Sequence, residues 1–203
     1  MMAWLLFDDP AKATKKHAMQ LGLGAAALTK FSRKKLRMKT TAIEINPQVV
    51  SACRFWFKLP PDDAKLLVVL ADAGVEVRNP VWAGDVDALQ VDLYDHEAAA
   101  PVLDSFDFYK DCRNTLTEGG CMTVNLFGEQ NKYPDSVEEI AAAFGRDAVW
   151  LFKPTKEGNT VVLAQRTPSR PDRATLEARA ADIQARWGLP AQKWLKVFKP
   201  LEA

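Results

Sequence analysis

Short apolar runs recur along the first half of the chain, each followed closely by an acidic side chain, and a glycine turn precedes all of these acids. Glu44 follows Thr41-Ala42-Ile43, Asp72 comes just after Leu66 to Leu70, and Asp92 and Asp95 come after Ala88 to Val91. Gly22-Leu23-Gly24 stands ahead of them. Runs of this length separated by helical stretches are the pattern of parallel strands wound by crossover helices. In an open sheet of that kind, ligands bind outside the carboxyl ends of the strands. A glycine turn followed by carboxylates at successive strand ends therefore describes a nucleotide-shaped pocket.

Read for period, His17 to Leu21 and Thr41 to Ile45 are buried strands, with a helical stretch from Ala25 to about Lys35 between them. Asn46-Pro47 supplies an N-cap and a proline at the first helical position, starting a helix to about Lys58 that Leu59-Pro60-Pro61-Asp62-Asp63 ends. Leu66 to Leu70 and Ala88 to Val91 are further strands, with a short helix or loop around Asn79-Pro80 between them. Val102 to Leu116 has helical spacing, Glu118-Gly119-Gly120 turns the chain, and Cys121 to Phe127 is a fifth strand. After a helix from about Ser136 to Phe144, Ala148 to Phe152 and Thr160 to Ala164 are both strand-like. The link from Lys153 to Asn159 is too short for a crossover helix, so these two should be antiparallel. A polar helix from about Asp172 to Trp187 and a tail through Trp194 and Phe198 follow.

The expected fold is α/β: a doubly wound, mostly parallel seven-stranded sheet with a C-terminal antiparallel hairpin. A single domain spans residues 1–203, with a leading helix over 1–16, the core sheet and helices over 17–165, and the C-terminal helix and tail over 166–203. With 203 residues, 48% of them hydrophobic, the chain can bury one core. Trp187, Trp194 and Phe198 exceed the needs of a disordered tail, so they are expected to pack on the domain or on a second subunit of a homodimer.

Charge narrows the partners. Against 26 acidic residues stand 27 basic ones, and the basic clusters at Lys12 to His17 and Lys30 to Lys39 are split by apolar segments, which argues against nucleic acid. Met1 to Phe7 is apolar but stops at Asp8-Asp9-Pro10, too short to span a membrane. Cys53, Cys112 and Cys121 have no CxxC spacing and are odd in number, which suits the reduced thiols of a cytoplasmic protein and supports no metal site. Nothing suggests a P-loop or a serine or cysteine nucleophile. Of the two histidines, His17 at a strand start reads as structural, and His96 has no identifiable partner.

Gly22-Leu23-Gly24-Ala25-Ala26-Ala27 matches the G-x-G-x-x-A form of the dinucleotide fingerprint, and Glu44 lies twenty residues beyond the second glycine. NAD is thus a competitor, as is any adenosine ligand whose ribose hydroxyls would donate to Glu44. The plainer alternative is a strand-to-helix turn. Asp72-Ala73 after the third strand could accept the exocyclic amine of adenine, and Asp72 could equally cap a helix. The antiparallel ending shifts the balance towards a sulfonium nucleoside, because dinucleotide folds end in a second parallel half. Asp92-Leu93-Tyr94-Asp95 faces the switch-point crevice, where a carboxylate could hold an amine or remove its proton; capping of the following turn is the alternative. Tyr94 and Trp82 are candidates for the pocket wall, although aromatic residues more often belong to core or rim.

The ordered series Leu21-Gly22-Leu23-Gly24, Ala42-Ile43-Glu44-Ile45-Asn46-Pro47, Leu59 to Asp63, Ala71-Asp72-Ala73, Val91 to Asp95, Phe108 to Arg113, Leu116 to Gly120 and Gly158 to Ala164 resembles the spermidine synthase (polyamine aminopropyltransferase) family. The likeness covers roughly residues 17–165. It implies a class I methyltransferase-like Rossmann fold that binds decarboxylated S-adenosylmethionine as a substrate, needs no metal, and moves its aminopropyl group to putrescine or a related small-molecule amine. Carried over, the turn of Gly22 and Gly24 would cradle the nucleoside, Glu44 would hold the ribose, and Asp72 with Ala73 the adenine. Asp92 would orient and deprotonate the attacking amine, while Asp95, with Tyr94 beside it, would bind that amine.

The chain also departs from the family pattern. The family's glycine motif reads GGGDGG; aligned on Ala27-Leu28, Gly24 occupies the place of its aspartate and Ala25-Ala26 replace the last two glycines. Asn46 stands where many members have aspartate, and His96 to Pro101 replaces the proline- and glycine-containing gate. Family enzymes carry a small β-rich N-terminal domain that contributes to the amine site, whereas Met1 here stands close before the first strand, so part of the amine pocket is expected to be lacking. Three readings follow: an aminopropyltransferase with an altered acceptor, a methyltransferase using intact S-adenosylmethionine, for which Gly24 removes a repulsion, and a nucleoside-binding homologue without activity.

Overall fold

A computed structural model describes residues 1–93, 103–126, 133–156 and 158–201. Five parallel strands lie at its centre: β1 (His17–Leu21), β2 (Lys39–Glu44), β3 (Leu66–Leu70), β4 (Val86–Val91) and β5 (Leu116–Leu126). They are joined by α1 (Ala27–Lys30), α2 (Pro47–Phe55), α3 (Ala73–Glu76) and α4 (Phe106–Thr115). After α5 (Tyr133–Phe144) come β6 (Val149–Phe152) and β7 (Thr160–Gln165), then α6 (Arg173–Trp187), α7 (Ala191–Trp194) and β8 (Phe198–Pro200). The sheet order is β3-β2-β1-β4-β5-β7-β6-β8, with β7, β6 and β8 antiparallel to their neighbours. Strand order reverses beside β1, so the crevice opens where β1 and β4 diverge.

Local chemistry explains most boundaries. Asn46 Oδ1 accepts from the Gln48 amide at 2.9 Å, and Pro47 follows as the first residue of α2; such a cap is worth about 1 kcal/mol. Ser105 caps α4 through the Phe108 amide. The central strands β1, β2 and β4 are buried on both faces. Met19, Leu21, Ile43 and Leu89 meet Phe108, Tyr109 and Ile140 on one face. On the other, Ala18, Ala88 and Leu163 meet Trp4, Leu6, Leu176 and Ile183, and a smaller cluster under α2 joins Ala42 and Leu66 to Cys53.

Four sequence expectations are corrected. Among the described residues the sheet has eight strands: Phe198 in β8 stacks on Trp150 and Phe152 at ring separations of 5.3 and 4.5 Å, placing this part of the aromatic tail against the sheet. A three-residue strand ending in proline has too little periodicity to be read. The leading helix is two 3-10 segments, Ala3–Phe7 and Pro10–Lys15, separated by extended Asp8 and Asp9. The helix expected from Ala25 starts at Ala27, because Ala26 is left-handed (φ 56°), and its second half, Phe31–Lys35, is π-helical. Glu118-Gly119-Gly120 is a bulge inside β5, where the partner of Val86 is Leu116 and that of Ala88 is Cys121. A Cβ on Gly120 would meet the Val86 carbonyl at 2.8 Å, so only glycine fits.

Candidate functional site

The carboxyl ends of β1 to β4 enclose a cavity of about 560 Å³, within the usual range for small-molecule sites. Gly22, Gly24, Glu44, Asp72, Ala73 and Asp92 all line it, with Ile45, Val49, Leu93 and Leu103 as apolar walls. Every nucleoside-side residue expected from the sequence is therefore in one place. Tyr94 and Asp95, expected to bind the amine, lie outside the described residues, as does His96.

Gly22 has φ +82°, and its amide donates to the Ile43 carbonyl at 2.9 Å. A Cβ there would come within 2.3 Å of the Asp92 backbone oxygen. This glycine is required because β1 and β4 approach too closely for any side chain, a reason independent of ligand. Gly24 (φ +51°) faces open space. Ala26 takes a left-handed conformation where the family pattern has glycine, which accounts for the family's preference there.

Glu44 closes β2 and is 8% exposed. One of its oxygens accepts from the Leu23 amide and the other from the Asn46 amide, both at 2.9 Å. Two backbone donors hold the carboxylate across the cavity floor and leave each oxygen a lone pair for a ligand hydroxyl. Asp72 is the N-cap of α3, its Oδ1 accepting from Gly74 at 2.7 Å and Val75 at 3.2 Å. The capping alternative is thus observed, and Oδ2 of this cavity-lining residue is not engaged by it. Half-buried Asp92 follows β4; its amide donates to Leu21 and its Oδ1 accepts from Asn125 Nδ2 at 2.9 Å. Asn125 Oδ1 in turn accepts from Asn159 Nδ2 at 3.3 Å. Neither asparagine was singled out by sequence, since a neutral amide at a strand end looks like any turn residue.

Among the described residues no lysine or arginine pairs with Glu44, Asp72 or Asp92, and no cationic side chain lines the cavity. Close by, the Met1 amino group is lowered to about 6 by burial, a shift that Asp92 opposes. No group of three or more metal-binding side chains occurs among the described residues, and no helix there is long and apolar enough to cross a membrane. A second depression, about 930 Å³, lies on the outer face of α2 between Pro47, Phe55 and Trp56. It holds no carboxylate.

A parallel sheet with an antiparallel ending and a glycine turn facing acidic strand ends defines the methyltransferase-like Rossmann class. Among solved structures, human methyltransferase-like protein 13, in complex with SAH, superposes with a TM-score of 0.80 at 19% identity, over 92% of this chain and 89% of that one. A probable spermidine synthase from Corynebacterium glutamicum gives 0.72 at 18% identity, over 98% and 74%. No protein-family model matches the sequence. Curated relatives narrow the class: the polyamine aminopropyltransferase of Chromobacterium violaceum is 32% identical over 202 residues, covering 98% of this chain and 74% of that protein. That of Neisseria meningitidis serogroup A is 31% identical with the same coverage. The chain belongs to the polyamine aminopropyltransferase family.

Proposed function

We propose that this protein transfers the aminopropyl group of decarboxylated S-adenosylmethionine to a small-molecule amine such as putrescine, with Asp92 as the base. The observation that carries this reading is a cavity lined by three carboxylates and, among the described residues, by no cationic side chain. Such a site attracts a sulfonium and an ammonium and repels the carboxylate of intact S-adenosylmethionine. Glu44 suits the ribose, Asp72 and Ala73 the adenine, and the turn at Gly22 and Gly24 the close passage of the nucleoside. Asp95 and Tyr94 remain the proposed amine contacts, and the cytoplasm the proposed place of action.

The chemistry asks little beyond alignment and a base. An ammonium must lose a proton before its nitrogen can attack; Asp92 takes that proton. The nitrogen then bonds to the methylene carbon next to sulfur, the carbon–sulfur bond breaks with its electron pair going to sulfur, and neutral methylthioadenosine leaves. Negative charge at the strand ends serves both steps, drawing in the cations and accepting the proton.

Calorimetric titration with intact and decarboxylated S-adenosylmethionine, followed by assay of methylthioadenosine release with putrescine, tests the reading. Decarboxylated ligand should bind at least about tenfold tighter, and release should require the amine. Tighter binding of the intact ligand, with methyl transfer, would replace aminopropyl transfer by the methyltransferase reading.

A further inference from the structure

We propose that Asn125, backed by Asn159, is a positioning residue that fixes the Asp92 carboxylate and leaves Oδ2 as the oxygen that receives the amine proton. This rests on the assignment of Asp92 as the base. Asn125 stands near the carboxyl end of β5, next to β4, and its Nδ2 reaches Asp92 Oδ1 at 2.9 Å. A carboxylate only accepts, so the amide must turn its NH2 towards Asp92 and its carbonyl away. That carbonyl meets Asn159 Nδ2 at 3.3 Å, so both ends of the Asn125 amide are oriented. Among the described residues nothing donates to Asp92 Oδ2.

Topology explains how Asn159 arrives. β7 runs antiparallel to β5, with Thr160 opposite Leu126 and Val161 opposite Asn125. The residue just before β7 is thereby delivered to the carboxyl ends of the parallel strands, where a parallel strand would deliver its other end. The antiparallel ending, a fold-level feature in the sequence, acquires a local purpose.

An amide is well matched to this task. An aspartate χ2 torsion is broad, so one directed donor is enough to select an orientation. A lysine would do the same but would neutralise the charge that draws in an ammonium. Asn125 holds the carboxylate while leaving its charge intact.

The test reads Asp92 itself, by carbon-13 carboxyl NMR with the resonance assigned through Asp92→Asn. The titratable groups nearby, the Met1 amino group with Glu44 and Asp72 at neighbouring strand ends, are the same in every variant. Asn125→Ala should shift the Asp92 carboxyl resonance at one fixed pH, because the hydrogen bond to Oδ1 is lost, and Asn159→Ala should shift it by less. In parallel, kcat for aminopropyl transfer should fall roughly tenfold to a hundredfold in Asn125→Ala, with affinity for decarboxylated S-adenosylmethionine within about twofold. A packing role alone would lower Tm and leave the resonance in place. An unchanged Asp92 resonance in folded Asn125→Ala and Asn159→Ala overturns the proposal. Turnover that survives Asp92→Asn would overturn the base assignment instead, a result the NMR measurement does not depend on.

Discussion

Acidic side chains stand at both ends of the group formed by β1, β2 and β4, and the two ends treat them oppositely. At the amino ends, Asp85 accepts from Lys39 at 2.8 Å and from His17 Nδ1 at 2.9 Å, and Asp87 accepts from Lys16 at 3.3 Å, from the His17 amide at 2.8 Å and from Thr117. Lys16 also pairs with Asp8. At the carboxyl ends, the donors to Glu44 and Asp92 among the described residues are all amide groups. Charge is cancelled at one end of the sheet and left exposed to a ligand at the other. Strand-end carboxylates thus mark a site only where the fold withholds their counter-ions.

Removing the exposed charge should have the largest effect. Asp92→Asn is isosteric and should lower kcat by roughly 10² to 10⁴ while methylthioadenosine still binds; quenched-flow assay and calorimetry on one preparation separate the two, and near-normal turnover would put the base elsewhere. Next comes Glu44→Ala, which deletes the acceptor of two backbone amides as well as the proposed ribose contact. Affinity for methylthioadenosine should fall about a hundredfold, as for loss of hydrogen bonds to a charged group.

A smaller change would make the carboxyl ends resemble the amino ends. Ile45 lines the cavity and is 66% exposed, so Ile45→Lys adds a counter-ion at little cost in packing. Preference for decarboxylated over intact ligand should drop about fivefold, and a preference that does not move would weaken the electrostatic account. At the opposite end, burial and the Lys39 charge hold the His17 pKa below its usual 6.5 despite Asp85. The fold therefore favours neutral imidazole, and this stabilisation is complete above pH 6.5 and lost as pH falls through the lower folded value. His17→Gln should flatten that part of the Tm profile below pH 6.5 and, being remote from the cavity, keep turnover within about twofold.

Much of this was legible because periodicity and strand-end position are local. Runs such as His17 to Leu21 show a buried strand directly, and the short link from Lys153 to Asn159 shows an antiparallel pair. From those came Gly22, Glu44, Asp72 and Asp92, which share one cavity. What stayed hidden depends on register between distant segments. Lys16 finds Asp87 only because β1 lies beside β4, and Asn125 meets Asn159 only through the pairing of β5 with β7. The antiparallel ending already implied that the residues before β7 return to the strand ends, and that signal could have pointed to Asn159. β8 had no comparable signal, since its pairing is decided by Phe198 against two rings.

The absent side chain at Gly22 has one more consequence. With a Cβ at this position only 2.3 Å from the Asp92 carbonyl oxygen, the nucleoside turn and the strand end bearing Asp92 share one clearance, like two parts cut to a common gauge. A substitution that widens the turn must push the other part out of true. Variants of Gly22 should therefore register in the rate of the chemical step even where the nucleoside still binds, and kinetics, more than binding, would report damage at this turn.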